Sequence, residues 1–389
     1  MYYLTWPNLN QHMAGRQPDL AQLLAQLYDN APVPEEQPVF RNPKFVPTMT
    51  KEFTQEQMVA KDRVVPGPYF AELSRLATEA DAYIAEHGTV YHTFHIPKAS
   101  GGLRTIQAPE EGLKDLQRRI AHALQYAPNT RFPLVYAHNA AYAYVPGRSP
   151  KEALITHQQH RSKWFLKLDI KDFFPSIDAA FLSSTLIQLW PFCFIPHEVL
   201  LNLIRACTLD GKLPQGSPAS PVLSNLVMLP YDKLISDILF NFEKHFYIYT
   251  RYADDLLISC RQEMKPDKIT NIITTCLHNT PFNINRDKTR YGSSAGRNWN
   301  LGLMLNKDNK ITVGHMTKQA MRAATNNFLF SARKGEPWSV EDTQVLIGEL
   351  GYLKHIEPEY YHHIIRKAEL KHHLAFQHIV KMILNHNYI

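Results

Sequence analysis

The stretch IYTRYADDLLIS, residues 248–259, places two adjacent carboxylates, Asp254 and Asp255, between two runs of β-forming residues. These runs predict two strands joined by a turn at residues 253–255. Carboxylates held side by side repel each other, and apolar strands on both sides limit their solvation. Bound divalent cations would remove that penalty. The stretch therefore indicates a metal site, although adjacent aspartates are more often ordinary turn residues.

A second acidic segment lies upstream, in LDIKDFF at residues 168–174. Residues 164–168 are predicted as a short apolar strand that ends at Asp169, which would then project from a sheet edge toward the predicted turn. Three carboxylates on neighbouring strands can hold two Mg²⁺ ions roughly 3.5–4 Å apart, because hard oxygen ligands suit Mg²⁺. Asp172 and Asp178 are interpreted as caps or solvated side chains rather than as ligands.

The composition is that of a globular chain with a small basic excess. Of its 389 residues, 44% are hydrophobic and 20% are charged, which excludes a wholly disordered protein. No apolar run approaches the ~18 residues that a spanning helix needs, and the N-terminus lacks a secretory signal pattern. We therefore expect no membrane contact. The four cysteines form no CxxC pair, which favours reduced thiols and a cytoplasmic location. The net charge of +6 fits either a groove that binds nucleic acid or a slightly basic solvated surface.

Strand and helix patterns are mixed without regular alternation, which favours an α+β fold over a doubly wound sheet. Ser220 and Ser339 are predicted helix caps, with Pro221 in the first turn of its helix. The expected elements are a helix at 19–28, an extended connector at 30–48, a helix at 69–87, a hairpin at 91–108 that turns at 100–102, a helix at 113–124 and helices over the last ~75 residues.

Six segments resemble, in order, the sequence motifs of the reverse transcriptase family. They are a fingers hairpin (IPKASGGLR, 96–104), motif A (LDIKDFF, 168–174), motif B (LPQGSPASP, 213–221), motif C (YADD, 252–255), motif D (NRDKT, 285–289) and the primer-grip motif E (NLGL, 300–303). The resemblance covers about residues 88 to 310 and extends more loosely to residue 389.

The fingers segment and FFPSI at residues 173–177 resemble the bacterial retron and group II intron lineage. Two segments depart from the retron pattern. EALITH at residues 152–157 stands where retron enzymes carry NAxxH, and NLG at residues 300–302 stands in place of VTG. No RNase H, maturase or endonuclease module is expected in the C-terminal segment. These features favour a stand-alone, retron-like enzyme of the defence-associated bacterial group that works with a cognate noncoding RNA.

The resemblance implies a right-hand polymerase of the α+β class, with fingers, palm and thumb. The palm would be an antiparallel sheet with helices, and the thumb would be helical. The N-terminal extension lies outside the resemblance, and its helical character is expected from the apolar pattern at residues 19–28. The expected boundaries are 1–65 for the N-terminal extension, 66–160 for the fingers, 161–310 for the palm, with part of the fingers inserted, and 311–389 for the thumb.

The resemblance also implies roles for individual residues. Asp169, Asp254 and Asp255 would be the catalytic carboxylates, and together with Ile170 they would be the metal-binding positions for two Mg²⁺ ions. The other implied contacts are to the nucleotide, by Lys98, Arg104, Phe174, Gln215, Gly216 and Lys288, and to the primer, by Leu301 and Gly302. Gln215 and Gly216 would lie against the nascent base pair.

The other nucleotide contacts each have a simpler structural interpretation beside the functional one. Lys98 and Arg104 would neutralise the charge of the triphosphate, or only belong to a surface hairpin. Phe174 would block a ribose 2'-hydroxyl and so favour dNTPs, or pack in the core as Phe173 does. Lys288 would donate a proton to pyrophosphate, or remain a solvated lysine.

The expected activity is RNA-directed DNA synthesis, in which cDNA is made from dNTPs on a cognate noncoding RNA in bacterial antiphage defence. Two alternatives stay open. A polymerase that works without a template or primes from a protein hydroxyl would use the same metal site, whereas a palm-like protein that only binds structured RNA would not need it. A second copy of the chain, or a toxin or effector protein, stays open as a further partner.

Overall fold

The computed structural model describes residues 67–97, 101–126, 134, 139–242, 246–294 and 302–385. Several of the expectations concern residues outside these ranges. They are the helix at 19–28, the connector at 30–48, the N-terminal extension 1–65, and the positions Lys98 and Leu301.

The described elements mix helices and strands along the whole chain. In chain order they are α1 (Gly67–His87), β1 (Tyr91–Pro97), β2 (Leu103–Pro109), α2 (Glu111–Gln125), α3 (Pro150–Gln159), β3 (Trp164–Asp169), α4 (Phe173–Ser176), α5 (Ala179–Leu186), α6 (His197–Cys207), α7 (Ser220–Asn241), β4 (Ile248–Tyr252), β5 (Asp255–Cys260), α8 (Pro266–Cys276), β6 (Arg290–Ser293), β7 (Met304–Leu305), β8 (Ile311–Thr312), α9 (His315–Arg333), α10 (Val340–Ile356), α11 (Pro358–His372) and α12 (Phe376–Leu384). The α+β expectation is confirmed.

The chain divides into two compact units. Unit 1 comprises the described parts of residues 1–139 together with residues 172–229, and unit 2 comprises residues 140–171 and the described parts of residues 230–389. The boundary falls within α7, where Pro230 lies inside the helix. A proline at such a position removes one main-chain hydrogen bond from the helix.

Unit 1 combines helices with the two-stranded β1–β2 hairpin. The strands pair antiparallel over their whole length, with Ile96 opposite Arg104. Helix α2 has the predicted apolar stripe, since Leu113, Leu116 and Ile120 are at most 1% exposed. Burial of such a stripe, rather than intrinsic propensity, supplies most of a helix's stability in a folded protein.

Unit 2 contains a four-stranded antiparallel sheet in the order β4-β5-β3-β6. Because side chains alternate along a strand, Phe165, Lys167 and Asp169 lie on one face, which we call the carboxylate face. Residues directly opposite each other on neighbouring strands share a face. Asp255, opposite Asp169, and Leu257, opposite Lys167, therefore also lie on the carboxylate face. We call the other side the reverse face.

A hydrophobic cluster joins this sheet to the C-terminal helices. Phe165 and Leu257 from the carboxylate face pack with Leu154 of α3. The other buried members come from residues 303–383 and include Leu303, Leu305, Val313, Met321, Phe328, Leu329, Leu346, Leu350, Leu353, Ile364, Phe376, Ile379 and Ile383. The predicted helical character of the C-terminal segment is confirmed by α9 to α12.

One of the two predicted serine caps is confirmed and the other is wrong. Ser339 precedes α10 and its hydroxyl accepts a hydrogen bond from the N–H of Asp342. Ser220 is instead the first residue of α7, and its hydroxyl donates to the carbonyl of Pro214 at 2.7 Å. The Ser220 side chain thus closes the preceding loop, because a buried hydroxyl takes the nearest strong acceptor.

Candidate active site

The carboxylates at the end of the central strands are brought together by strand pairing. Asp169 is the last residue of β3 and lies directly opposite Asp255, the first residue of β5. The N–H of Ile170 donates to the carbonyl of Asp254 at 2.9 Å, which ties the end of β3 to the hairpin turn. The turn consists of Ala253 and Asp254, so the prediction that Asp255 belongs to it is wrong by one residue. Backbone pairing alone therefore brings the Asp169, Asp254 and Asp255 positions to one sheet end.

Two lysines neutralise part of this acidic cluster. The Lys288 ammonium lies 3.0 and 2.9 Å from the two carboxylate oxygens of Asp169. The Lys167 ammonium lies 2.9 Å from one oxygen of Asp255, and both of these side chains are largely buried. Lys288 itself is 61% exposed, so its pair with Asp169 opens readily to solvent.

The electrostatic state of the cluster follows from burial and like charge. Partial burial raises the pKa of Asp254, and the neighbouring charges of Asp255 and Asp169 raise that pKa further. Burial also raises the pKa of Asp255, while Lys167 opposes the shift. The hydrogen bond to Asp169 raises the pKa of Lys288, which keeps its ammonium protonated. The cluster thus holds negative charge at a cost that a cation would reduce.

The chemistry of this donor set suits a divalent cation. Three carboxylates offer hard oxygen ligands, and the raised pKa values of Asp254 and Asp255 mark a site with too little positive charge. Among the described residues, no three acidic, histidine or cysteine side chains converge into a ready-made metal site. Here the lysine ammonium groups supply the counter-charge instead. The side chain of Ile170 is apolar and buried, so only its main-chain carbonyl oxygen could reach an ion.

The motif B loop of unit 1 packs tightly against the β1–β2 hairpin. The N–H of Gln107 on β2 donates to the carbonyl of Gln215 at 2.7 Å. A Cβ added to Gly216 would lie 2.6 Å from the carbonyl oxygen of Gln107, and Gly216 has a φ of +135°. Ser217 donates to the buried Gln117 of α2 at 2.8 Å. The glycine is therefore required by both its backbone conformation and its close neighbour.

The remaining predicted contacts differ in exposure. Arg104 is exposed on β2, and Gly302 is exposed with a φ of +79° just before β7. Phe173 is buried in the core of unit 1, whereas Phe174 beside it is only half-buried, with the two ring centroids 5.5 Å apart. Asp178 caps α5 by accepting from the N–H of Phe181, as predicted for a structural residue.

The EALITH segment forms part of α3 and carries a buried histidine. His157 contacts the hydroxyl of Ser259 with Nδ1 at 2.5 Å and the hydroxyl of Thr250 with Nε2 at 2.8 Å. Both hydroxyls belong to the hairpin strands β5 and β4. Burial lowers the pKa of His157 to about 3, with a smaller contribution from His160. The histidine is thus neutral in the folded protein and ties α3 to the strands that carry the carboxylates.

Because His157 is buried and neutral, we expect the stability of the folded protein to depend on pH. Its pKa falls from 6.5 in the unfolded chain to about 3 in the folded protein, so between these values only the unfolded chain binds the proton. The free energy of unfolding should then fall by ~1.4 kcal/mol per pH unit on acidification below pH 6.5 from this residue alone. Denaturant titrations of the wild type and His157→Gln from pH 7 to pH 4 would measure the difference. Equal pH slopes for the two proteins would contradict the assignment.

The contributions of Asp254 and Asp255 to pH-dependent stability must be separated from that of His157. Their pKa values are raised on folding, so they contribute stability that is present at low pH and lost as pH rises. Their sign is opposite to that of His157. Because both proteins in the comparison retain these carboxylates, the difference between the two slopes isolates the histidine.

Residues 96–324 match the sequence family described as reverse transcriptase, an RNA-dependent DNA polymerase. This chain belongs to that family. As a reverse transcriptase it is an RNA-directed DNA polymerase and a nucleotidyltransferase, and the right-hand polymerase fold expected from the motifs is confirmed by the match. Enzymes of this family use divalent metal ions, in agreement with the donor set described above.

The curated relatives are retron reverse transcriptases. The retron Ec73 reverse transcriptase of Escherichia coli is 31% identical over 284 residues, which cover 70% of this chain and 85% of that protein. The retron Mx65 reverse transcriptase of Myxococcus xanthus is 31% identical and covers 72% of this chain and 64% of that protein. This reverse transcriptase is therefore of the bacterial retron type, despite its two departures from the retron motifs.

Among solved structures, telomerase from Candida albicans in complex with a fragment of telomeric RNA is similar at 12% identity and a TM-score of 0.43, over 78% of this chain and 61% of that one. That score is too low to add to the assignment, which depends on the sequence family. No helix among the described residues is both long and apolar enough to cross a membrane.

The sequence interpretation missed two groups of residues near the carboxylates. Lys167 precedes the motif A segment and has no role in the sequence analysis, although a lysine two positions before Asp169 on a strand must lie on the same face. Arg251 was quoted only as a flank of the YADD turn. Its buried pairing with Asp232 of α7 could have been suspected, since an arginine within an apolar strand needs a partner.

Proposed function

We propose that this reverse transcriptase copies a cognate noncoding RNA into cDNA, with Asp169, Asp254 and Asp255 holding two Mg²⁺ ions. The observation that carries the proposal is the direct pairing of Asp169 with Asp255 beside the Asp254 turn, which gathers the three carboxylates at one end of the sheet. When bound, such ions activate the attacking 3'-hydroxyl and offset the charge of the pyrophosphate leaving group.

The lysines of unit 2 then take defined roles. Lys167 neutralises Asp255 through the contact of its ammonium with one carboxylate oxygen at 2.9 Å. With a metal ion held by Asp169, the Lys288 ammonium would be released from that carboxylate and would be available as a proton donor to the pyrophosphate. Its high exposure supports this role, because an exposed lysine changes partner at little cost.

The proposed nucleotide contacts of unit 1 are based on the sequence of motifs along the chain and on the local structure. Arg104 and Lys98 would bind the triphosphate, and the exposure of Arg104 on β2 leaves its guanidinium accessible. Gln215 and Gly216 would lie against the nascent base pair, and the hydrogen bond and close packing of their loop on Gln107 support a defined position for them. Leu301 and Gly302 would contact the primer.

Phe174 is proposed as the gate that excludes ribonucleotides. Phe174→Ala should lower the ratio of kcat/KM for dNTP over rNTP about tenfold or more, because the collision with the 2'-hydroxyl is removed. Single-nucleotide insertion kinetics with both sugars would measure the ratio. The half-buried position of Phe174, next to a fully buried neighbour, supports a ring available to substrate.

Phe173→Ala is the matched control for this prediction. Its ring is 5% exposed, so its truncation should leave a cavity that costs about 3–5 kcal/mol and impair both sugars alike. If Phe174→Ala also lowered the melting temperature and left the sugar ratio unchanged, Phe174 would be a core residue and the gate would be refuted.

Primer extension tests the proposed activity and its alternatives together. The purified protein should extend a primer on an RNA template with dNTPs and Mg²⁺, and EDTA should stop the reaction. Equal synthesis without template would favour the template-independent alternative, and labelled DNA covalently attached to the protein would favour protein priming. RNA binding without any synthesis would leave a structured-RNA-binding protein as the function.

The biological partner is proposed to be a noncoding RNA with a role in antiphage defence. The curated relatives carry the retron name, which supports the kind of RNA and cDNA expected. Sequencing of the RNA and DNA that copurify with the protein would identify template and product. Phage challenge of cells that express the wild type or Asp254→Asn would test the defence role. Purification of the protein from the same cells would identify a second copy of the chain, a toxin or an effector as a copurifying protein.

A further inference from the structure

The reverse face of the sheet contains a fully buried ion pair behind the carboxylate turn. Arg251 of β4 donates from Nε to Asp232 Oδ1 at 2.9 Å and from Nη2 to Oδ2 at 2.7 Å. The two side chains are 0% and 1% exposed. Tyr249, two residues earlier on the same face, donates its hydroxyl to the same carboxylate at 2.8 Å. Asp232 belongs to α7, so the pair joins that helix to the strand before the turn.

The same guanidinium also contacts the turn itself. Arg251 Nη1 donates to the carbonyl oxygen of Ala253 at 3.3 Å. That carbonyl belongs to the peptide group that joins Ala253 to Asp254. Ala253 has a φ of +56°, a left-handed conformation that residues with a side chain rarely adopt. The Arg251 side chain therefore donates a hydrogen bond to the turn at Ala253, the turn residue whose backbone is left-handed and strained.

The main chain of Arg251 is held as firmly as its side chain. Its N–H donates to the carbonyl of Ala140 at 2.7 Å, and its carbonyl accepts from the N–H of Tyr142 at 2.8 Å. These bonds form a parallel bridge beside β4. Movement of the guanidinium is thus restricted from both ends, by the backbone on one side and by Asp232 on the other.

The buried ion pair on the reverse face carries a cost in desolvation free energy. Taking both charges out of water costs free energy that apolar side chains of similar size would not, and such pairs often add nothing to stability. What the pair does provide is fixed geometry, because the planar guanidinium presents several donors in set directions. The contact of Arg251 with the Ala253–Asp254 peptide means that this fixed geometry acts on the turn that carries Asp254.

We propose that Arg251, held by Asp232, is a positioning residue that fixes the Ala253–Asp254 peptide and so orients the Asp254 carboxylate for metal binding. The inference depends on the proposed catalytic role of Asp254. A lysine at position 251 could still pair with Asp232, but a single ammonium cannot hold a bidentate carboxylate and the turn carbonyl in the same plane.

Arg251→Lys and Tyr249→Phe form a matched pair of variants for the test. Tyr249→Phe removes one hydrogen bond to Asp232 but leaves the contact between Arg251 and the turn intact. Primer extension on RNA would give kcat, the KM for dNTP and the Mg²⁺ concentration for half-maximal rate, and circular dichroism would give the melting temperature of each protein. Asp232→Asn, which keeps the shape of the side chain, serves as a second variant if Arg251→Lys does not fold.

For Arg251→Lys we expect kcat to fall on the order of 10–100-fold, since small misplacements of catalytic groups have effects of that size. The Mg²⁺ requirement should rise severalfold, while the KM for dNTP changes little. Tyr249→Phe should keep kcat and Mg²⁺ requirement near wild type. A folded Arg251→Lys or Asp232→Asn protein with wild-type kcat and Mg²⁺ requirement would overturn the positioning role, as would equal losses in both variants of the matched pair.

The activity of Asp254→Asn distinguishes a failure of the positioning role of Arg251 from a failure of the proposed function. If Asp254→Asn is inactive and Arg251→Lys is fully active, only the positioning role of Arg251 is refuted. If Asp254→Asn retains full activity, the assignment of the site itself is refuted, whatever the behaviour of Arg251.

Discussion

Asp254→Asn is expected to lower the rate of DNA synthesis by on the order of 10³-fold or more, because a metal ligand contributes several kcal/mol to the transition state. The melting temperature without divalent ions should be unchanged or higher. Burial and the charges of Asp255 and Asp169 raise the pKa of Asp254, so a neutral amide of the same shape relieves repulsion. Primer extension and thermal melting of the same preparation measure the two effects.

Asp178→Asn is the matched control for this substitution. Asp178 caps α5, and asparagine caps helices about as well, so the control should keep both activity and stability. Mg²⁺ should raise the melting temperature of the wild type and of Asp178→Asn but not of Asp254→Asn. Near wild-type synthesis by a folded Asp254→Asn protein would refute the carboxylate site.

Gly216→Ala is expected to have the second largest effect. The added Cβ would lie 2.6 Å from the main-chain oxygen of Gln107, and the backbone at Gly216 has a φ of +135°. A backbone oxygen in a paired strand cannot move as a flexible side chain would. We expect a destabilisation of about 2–4 kcal/mol from overpacking and backbone strain together, and a loss of nucleotide incorporation because the motif B loop is displaced.

Gly211→Ala separates strain from contact in this experiment. Gly211 has a φ of +73°, but nothing lies within 4 Å of an added Cβ. Its substitution should cost only about 1–2 kcal/mol from the left-handed backbone and should leave incorporation kinetics intact. Equal destabilisation by both substitutions would mean that the approach of Gln107 to Gly216 does not constrain the loop.

Local patterns in the sequence were sufficient to predict most of the elements. The apolar stripe of α2, the β1–β2 hairpin and the strand ending at Asp169 follow from periodicity over a few residues, which needs no knowledge of the partner. The YADD turn was predicted to within one residue for the same reason. Its meaning as a polymerase site required the order of several motifs, because a lone pair of aspartates is ambiguous.

The capping error at Ser220 shows where local reasoning stops. A serine before a proline and an apolar run has the pattern of a helix cap, yet its hydroxyl bonds to Pro214, six residues back in a buried loop. Side-chain hydroxyls can choose among several nearby acceptors, and the packing of the loop decides which one is close.

The sequence by itself determined the elements, the family motifs and the identity of the carboxylates, since these depend on residue type and short spacing. Only the tertiary structure decided what surrounds them. Asp232 reaches Arg251 across 19 residues, Gln107 meets Gly216 across 109, and Lys288 reaches Asp169 across 119. Such contacts form when distant segments pack together and a buried group must find a partner, and the spacing of residues along a chain does not encode that choice.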